Sequence, residues 1–148
     1  MPILTAALAP QGALVQVLIG LDAPSIMILR TALRPVPSPI NTEALLDTGA
    51  EVTGVDASLI QRLDLPIAGT VLANLPAHGG FTTAFLHDAS LTILHPSGNP
   101  RDNLVVRHLN VLALPLAALG YQAVIGRDIL ARCDFLYSGP RDRFRLRY

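Results

Sequence analysis

The sequence predicts a mostly β protein with one or two short helices. Three observations carry this: short runs rich in Val, Ile, Leu and Thr, frequent punctuation by Pro, Gly, Asn and Asp, and little sustained helical periodicity. At 148 residues and 51% hydrophobic content, the chain has enough apolar material for one core. The expectation is therefore a single domain over residues 1–148.

The opening MPILTAALAP is apolar, but no Lys or Arg precedes it and Pro2 and Pro10 interrupt it. It reads as an ordinary N-terminal segment rather than a signal peptide. ALVQVLIGL alternates Val15, Val17 and Ile19 with Gln16 and Leu18, as a strand does, and SIMILRTAL from Ser25 is the expected partner strand after the LDAP turn. RPVPSPIN, residues 34–41, holds three prolines that cannot donate to a ladder, so it is a connection, with a strand resuming at Glu43.

In DASLIQRLDLP, Leu59, Ile60 and Leu63 fall at helical spacing, with Asp56 placed to cap and Pro66 to terminate. TVLANL and FTTAFL then read as two strands joined by a glycine-containing tip, PAHGG. ASLTIL and NLVVRHLNVLAL follow, joined by the turn-rich HPSGNPRD. YQAVIGRDILARC passes from an apolar strand, Ala123 to Ile125, through Gly126 into a short helical pattern. The end, residues 134–148, reads as a hairpin whose last strand sets Phe144, Leu146 and Tyr148 on one face and three arginines on the other.

Eleven basic residues balance eleven acidic ones, which gives no net field toward nucleic acid or an anionic membrane, although RDRFRLRY is locally basic. No apolar stretch reaches the ~20 residues of a spanning helix. The lone Cys133 allows neither an intrachain disulfide nor a thiolate cluster, and beside Phe135 and Leu136 it reads as a small core residue. A reducing, cytoplasmic setting and a soluble protein are expected. His87, His95 and His108 show no ligand spacing, so neither a metal nor another cofactor is expected.

One stretch carries chemistry. In ALLDTGAEVT, Leu45 and Leu46 lead into Asp47-Thr48-Gly49, and Ala50 and Val52 lead out. Asp and Gly together are ordinary turn chemistry, but a carboxylate inside an apolar run must be paired, hydrogen-bonded or protonated. Actin-like ATPases and sugar kinases also carry an Asp-x-Gly turn; they need two large domains and a second phosphate loop, and no Gly-x-x-x-x-Gly-Lys run occurs here. No Gly-x-Ser-x-Gly elbow supports a Ser-His-Asp triad.

ALLDTGAEVT, HGGF at 78–81 and AVIGRDIL at 123–130 occur in the order and at the spacing of the retropepsin-like aspartic proteases, the single-lobe relatives of pepsin. The chain resembles that family over about residues 13–136, and its DASLIQRLDLP helix looks more like the cellular and bacterial branch. The resemblance implies a closed β-barrel of the acid protease fold, one lobe, with a flap hairpin. It also implies a homodimer with a peptide or protein as substrate.

Its chemistry needs one carboxylate to take a proton from water and another to give one to the carbonyl, and two aspartates sharing a proton do both. One such Asp per chain means that Asp47 would come from each of two subunits. By resemblance, Thr48 would hydrogen-bond across the dimer axis, and Gly49 would turn the backbone and bring its carbonyl to substrate. Ala50 and Glu51 would flank the substrate, and His78, Gly79, Gly80 and Phe81 would close over it as a flap. Val124 and Ile125 would support the loop from a buried strand, and Gly126 would leave room for the Asp loop. Arg127 could pair with Glu51, with Asp128 in the same supporting element. The alternative to an endopeptidase is a noncatalytic dimerisation or peptide-binding module of the same family. The added C-terminal hairpin departs from viral members, which build much of their interface from a short final strand.

Overall fold

The computed structural model describes residues 1–75 and 79–148. Ten strands dominate: β1 (Ile3–Ala7), β2 (Leu14–Gly20), β3 (Ile40–Leu46), β4 (Gly54–Asp56), β5 (Ile67–Leu75), β6 (Gly80–Ile93), β7 (Leu104–Leu114), β8 (Ala123–Ile125), β9 (Asp134–Ser138) and β10 (Arg143–Arg147). Among the described residues three α-helices, α1 (Ala23–Thr31), α2 (Ala57–Leu63) and α3 (Arg127–Leu130), lie between them, with short 3-10 turns in the loops.

The main sheet runs β2-β3-β8-β4-β7-β6-β5, and a further antiparallel pairing of β2 with β6, Val17 opposite Ile93, joins it into a ring. β5 hangs outside the ring on β6, and β1-β10-β9 form a separate sheet, so the architecture is a barrel with appendages rather than one clean barrel. The core follows from strand alternation: Val15, Val17 and Ile19 of β2 point inward against Leu91 and Ile93 of β6, with Leu59 and Leu63 of α2 and Phe144 and Leu146 of β10 in the same cluster. Among the described residues no helix is long and apolar enough to cross a membrane.

Several elements differ from the sequence reading. Residues 25–33 are not a strand paired with β2; α1 occupies most of them. Asp22 caps this helix, its Oδ1 accepting from the Ser25 amide at 3.1 Å, and Pro24 sits in the first turn, where its missing N–H costs nothing. Ile26 to Leu29 are four apolar residues in a row and carry no period, whereas the Asp22 cap and Pro24 favour a helix start. β2 finds its partners in β3 and β6 instead.

β3 begins at Ile40 rather than Glu43, because pairing with Ile19 extends it. FTTAFL and ASLTIL are one continuous strand, β6, which pairs with β5 along its first half and β2 along its end. The opening segment is itself a strand, β1, zipped to β10 from Ile3↔Arg147 to Ala7↔Arg143.

Candidate active site

β3 and β8 run parallel and in register, Leu46 opposite Ile125, so the chain leaves both strands at the same end. Asp47 follows the first and Gly126 the second. The Asp47 amide still donates to the Ile125 carbonyl at 3.0 Å, which anchors the carboxylate's backbone to the end of a buried strand. Ala50 N donates back to the Asp47 carbonyl at 3.2 Å, closing a tight turn over Asp-Thr-Gly. Asp47 and Ala50 are half-buried; Thr48, Gly49 and Glu51 are exposed.

The carboxylate is oriented within its own loop. Asp47 Oδ1 accepts the Gly49 amide at 2.7 Å, the one protein donor to this carboxylate among the described residues. Gly49 does not adopt a positive φ, so the expected sharp turn does not require it. Space does: a Cβ at Gly49 would stand 3.0 Å from Asp47 Oδ1, against the oxygen that its amide holds.

Behind the loop, Gly126 is the close-approach position. A Cβ there would meet the Val52 carbonyl carbon at 2.8 Å and the Ala50 carbonyl oxygen at 2.9 Å, both backbone atoms that cannot swing aside. α3 then presents its first amides to the loop: Arg127 N donates to the Ala50 carbonyl at 2.8 Å and Asp128 N to the Glu51 carbonyl at 3.3 Å. Arg127 does not pair with Glu51 among the described residues. Its Nη1 instead donates to the Thr48 carbonyl at 2.8 Å, because the turn points that carbonyl toward α3 while the Glu51 side chain faces solvent.

A network not foreseen from the sequence lies one step further along. Thr53 is fully buried; its hydroxyl donates to Asp128 Oδ1 at 2.7 Å and accepts from the Gly126 amide at 3.2 Å. Its amide donates to Asp128 Oδ2 at 2.9 Å. Asp128 thus accepts from both the amide and the hydroxyl of Thr53, and its Oδ1 also accepts from the Ile129 amide in the first turn of α3 at 2.9 Å. The available signal was a threonine between Val52 and Gly54 in a run otherwise destined for the core.

Asp56, 3% exposed, holds a second loop. Its Oδ1 accepts the amides of Leu116 and Ala117 at 2.8 and 3.0 Å, and its Oδ2 accepts the Ser58 amide at 3.1 Å together with the Ser58 hydroxyl. Burial alone would raise this carboxyl. The Ser58 hydroxyl and the Leu116, Ser58 and Ala117 amides outweigh burial and hold it below the ordinary carboxylate value.

Phe81 is exposed on the β5–β6 hairpin, where Gly79 and Gly80 take φ of +73° and +140° with open space around them, so conformation and not crowding calls for glycine. One face of the hairpin exposes Leu72, Phe81 and Phe85 together. His78 lies outside the described residues.

This fold is that of the retropepsin-like aspartic proteases. A solved structure of a retropepsin-like aspartic protease from Rickettsia conorii is similar over 99% of this chain and 90% of that one, with a TM-score of 0.57 at 13% sequence identity. No family model matches the sequence. No curated protein matches it.

Proposed function

We propose that the chain is an aspartic endopeptidase that works as a homodimer, with Asp47 of each protomer forming the catalytic pair. The observation that carries this reading is the Asp47 loop, a lone aspartate held at the end of a buried parallel strand pair and braced from behind by Gly126, Arg127 and the Thr53–Asp128 network. Its fold likeness to an aspartic protease supports the same reading.

Two carboxylates meeting across a twofold axis cannot both ionise cheaply, so the pair holds one proton. The ionised member draws a proton from water as that water attacks the peptide carbonyl, and the protonated member donates to the carbonyl oxygen. The Gly49 amide on Asp47 Oδ1 leaves the other oxygen available to the partner and the water. Arg127, by holding the Thr48 carbonyl, sets the rest of the turn against α3, which leaves the loop little freedom as charge moves. The β5–β6 hairpin, with Leu72, Phe81 and Phe85 exposed, supports an extended, largely apolar peptide as substrate, with Gly79 and Gly80 at a closing tip.

β10 lies between β1 and β9, so both of its edges are already paired. This supports a dimer that does not add strands at the edges of β10, unlike the final-strand interface of viral members. Asp47→Asn keeps the shape of the side chain and removes its proton chemistry. Cleavage of a denatured, loosely structured protein should disappear in Asp47→Asn while sedimentation and circular dichroism stay as in the parent, and specific activity should fall on dilution as dimers dissociate. Undiminished cleavage by rigorously purified Asp47→Asn would sink the reading. Peptide binding without cleavage by the parent would favour a noncatalytic module.

A further inference from the structure

The arginines of β10 have no part in the site above. Arg143, Arg145 and Arg147 alternate with buried Phe144 and Leu146, so all three stand on the solvent face of the β1-β10-β9 sheet, with Arg141 in the turn before them. The side chains repeat about every 6.8 Å, two residues of extended chain. Arg147 pairs with Asp134. Among the described residues, no carboxylate comes within 4.0 Å of Arg141, Arg143 or Arg145.

The face is concave. A cavity of about 210 Å³ is lined by Arg141, Arg143 and Arg145 with Thr5, Leu136 and Ser138. Three unpaired guanidiniums and two hydroxyls make this a donor-rich pocket, with Leu136 as its apolar patch. The bordering strand β9 pairs with β10 alone, which leaves its outer edge free among the described residues.

We infer that this face binds an extended acidic peptide segment, carboxylates at alternate positions, laid along the free edge of β9. Strand pairing gives such a segment the same two-residue repeat as the arginines, so the carboxylate at every second residue meets a guanidinium reaching across Leu136 and Ser138. Nucleic acid fits less well. The solvent face of the sheet carries Ile3, Thr5, Ala7, Asp134, Leu136 and Ser138 around the arginines, and the one aromatic side chain lining the depression, Phe144, is buried and offers a base no ring face to stack on. A lipid surface fits less well because the arginines surround a depression rather than a flat or protruding anchor. The inference stands on this sheet alone and does not depend on the chemistry of Asp47.

The test is fluorescence anisotropy with a labelled peptide of alternating glutamate and valine, checked for integrity by mass spectrometry. The same residues with the glutamates grouped at one end, a labelled single-stranded oligonucleotide and phosphatidylserine vesicles serve as competitors. The alternating peptide should bind saturably and weaken with added salt. Arg143→Gln/Arg145→Gln should weaken it about tenfold, while the exposed Arg107→Gln on β7 leaves it unchanged. The grouped peptide should bind less well. Absence of saturable binding, an unchanged affinity in the folded double variant, or an oligonucleotide or vesicles that compete as well as the peptide itself would overturn the proposal. So would self-association that occupies the β9 edge and excludes the peptide.

Discussion

Replacing Asp56 with asparagine should destabilise the protein by about 3 kcal/mol at neutral pH. The carboxylate receives four donors, two on each oxygen: the Leu116 and Ala117 amides on Oδ1, and the Ser58 amide and hydroxyl on Oδ2. An asparagine keeps one acceptor oxygen. Whichever way its amide turns, an NH2 group faces two donors at a site only 3% exposed. Each buried donor left without an acceptor costs roughly 1–3 kcal/mol, and part of the α2 cap is lost when the oxygen turns toward the loop. Relaxation of the 115–120 loop recovers some of this, which sets the estimate at ~3 rather than at the sum.

The pH dependence makes the prediction specific. The native carboxyl lies below its ordinary value of 3.8, so its ionised form stabilises the fold above that value. That contribution is lost as pH falls below 3.8 and through the lower native value. Urea unfolding of parent and Asp56→Asn at one protein concentration should show a constant gap from about pH 7 to 5 that narrows steadily toward pH 2.5. A gap under about 0.5 kcal/mol at pH 6, or one that does not narrow in acid, would refute the reasoning.

Gly126→Ala should cost ~1–3 kcal/mol and lower activity, since the methyl presses on the Ala50 and Val52 backbone; urea midpoints alongside cleavage rates check it. Thr53→Val should destabilise by ~1–3 kcal/mol by stranding the buried Gly126 amide, whereas Thr53→Ser should recover most of that loss. Asp22→Ala should lose ~1–2 kcal/mol with the α1 cap and the hydrogen bond from His108, read as a lower urea midpoint. Burial raises the Asp22 carboxyl, but the Ser25 and His108 hydrogen bonds prevail and lower it, so this loss too should fade below pH 3.8.

The parts of the fold that were legible had local causes. Asp56 capped α2 as its position implied, although the helix ends at Leu63 with Asp64 left-handed rather than at Pro66; glycines marked the β5–β6 tip, and alternation in RFRLRY separated a buried face from a row of arginines. Asp47 stood out because its neighbours were apolar, and Gly126 because a glycine ended a buried strand. α1 was misread because its run of Ile, Met and Leu has no period of its own. Its start is marked by Asp22, which accepts from the Ser25 amide, and by Pro24 in the first turn, where the sequence offers a turn as readily.

The sequence by itself determined the β character, the single Asp-Thr-Gly loop and the elements that flank it, since these depend on residue type, turn chemistry and spacing along a few neighbours. Only the tertiary structure decided that β3 and β8 lie side by side and parallel, because they are nearly 80 residues apart and their pairing is set by burial of both strands in one sheet. From that one pairing come the Gly126 contact, the Arg127 bond to the Thr48 carbonyl in place of Glu51, and the enclosure of Thr53 by Asp128. The opening strand β1 was likewise invisible in isolation. It becomes a strand only because β10 offers it an edge, and once β10 is paired on both sides the outer edges of β1 and β9 are the ones without a strand partner among the described residues.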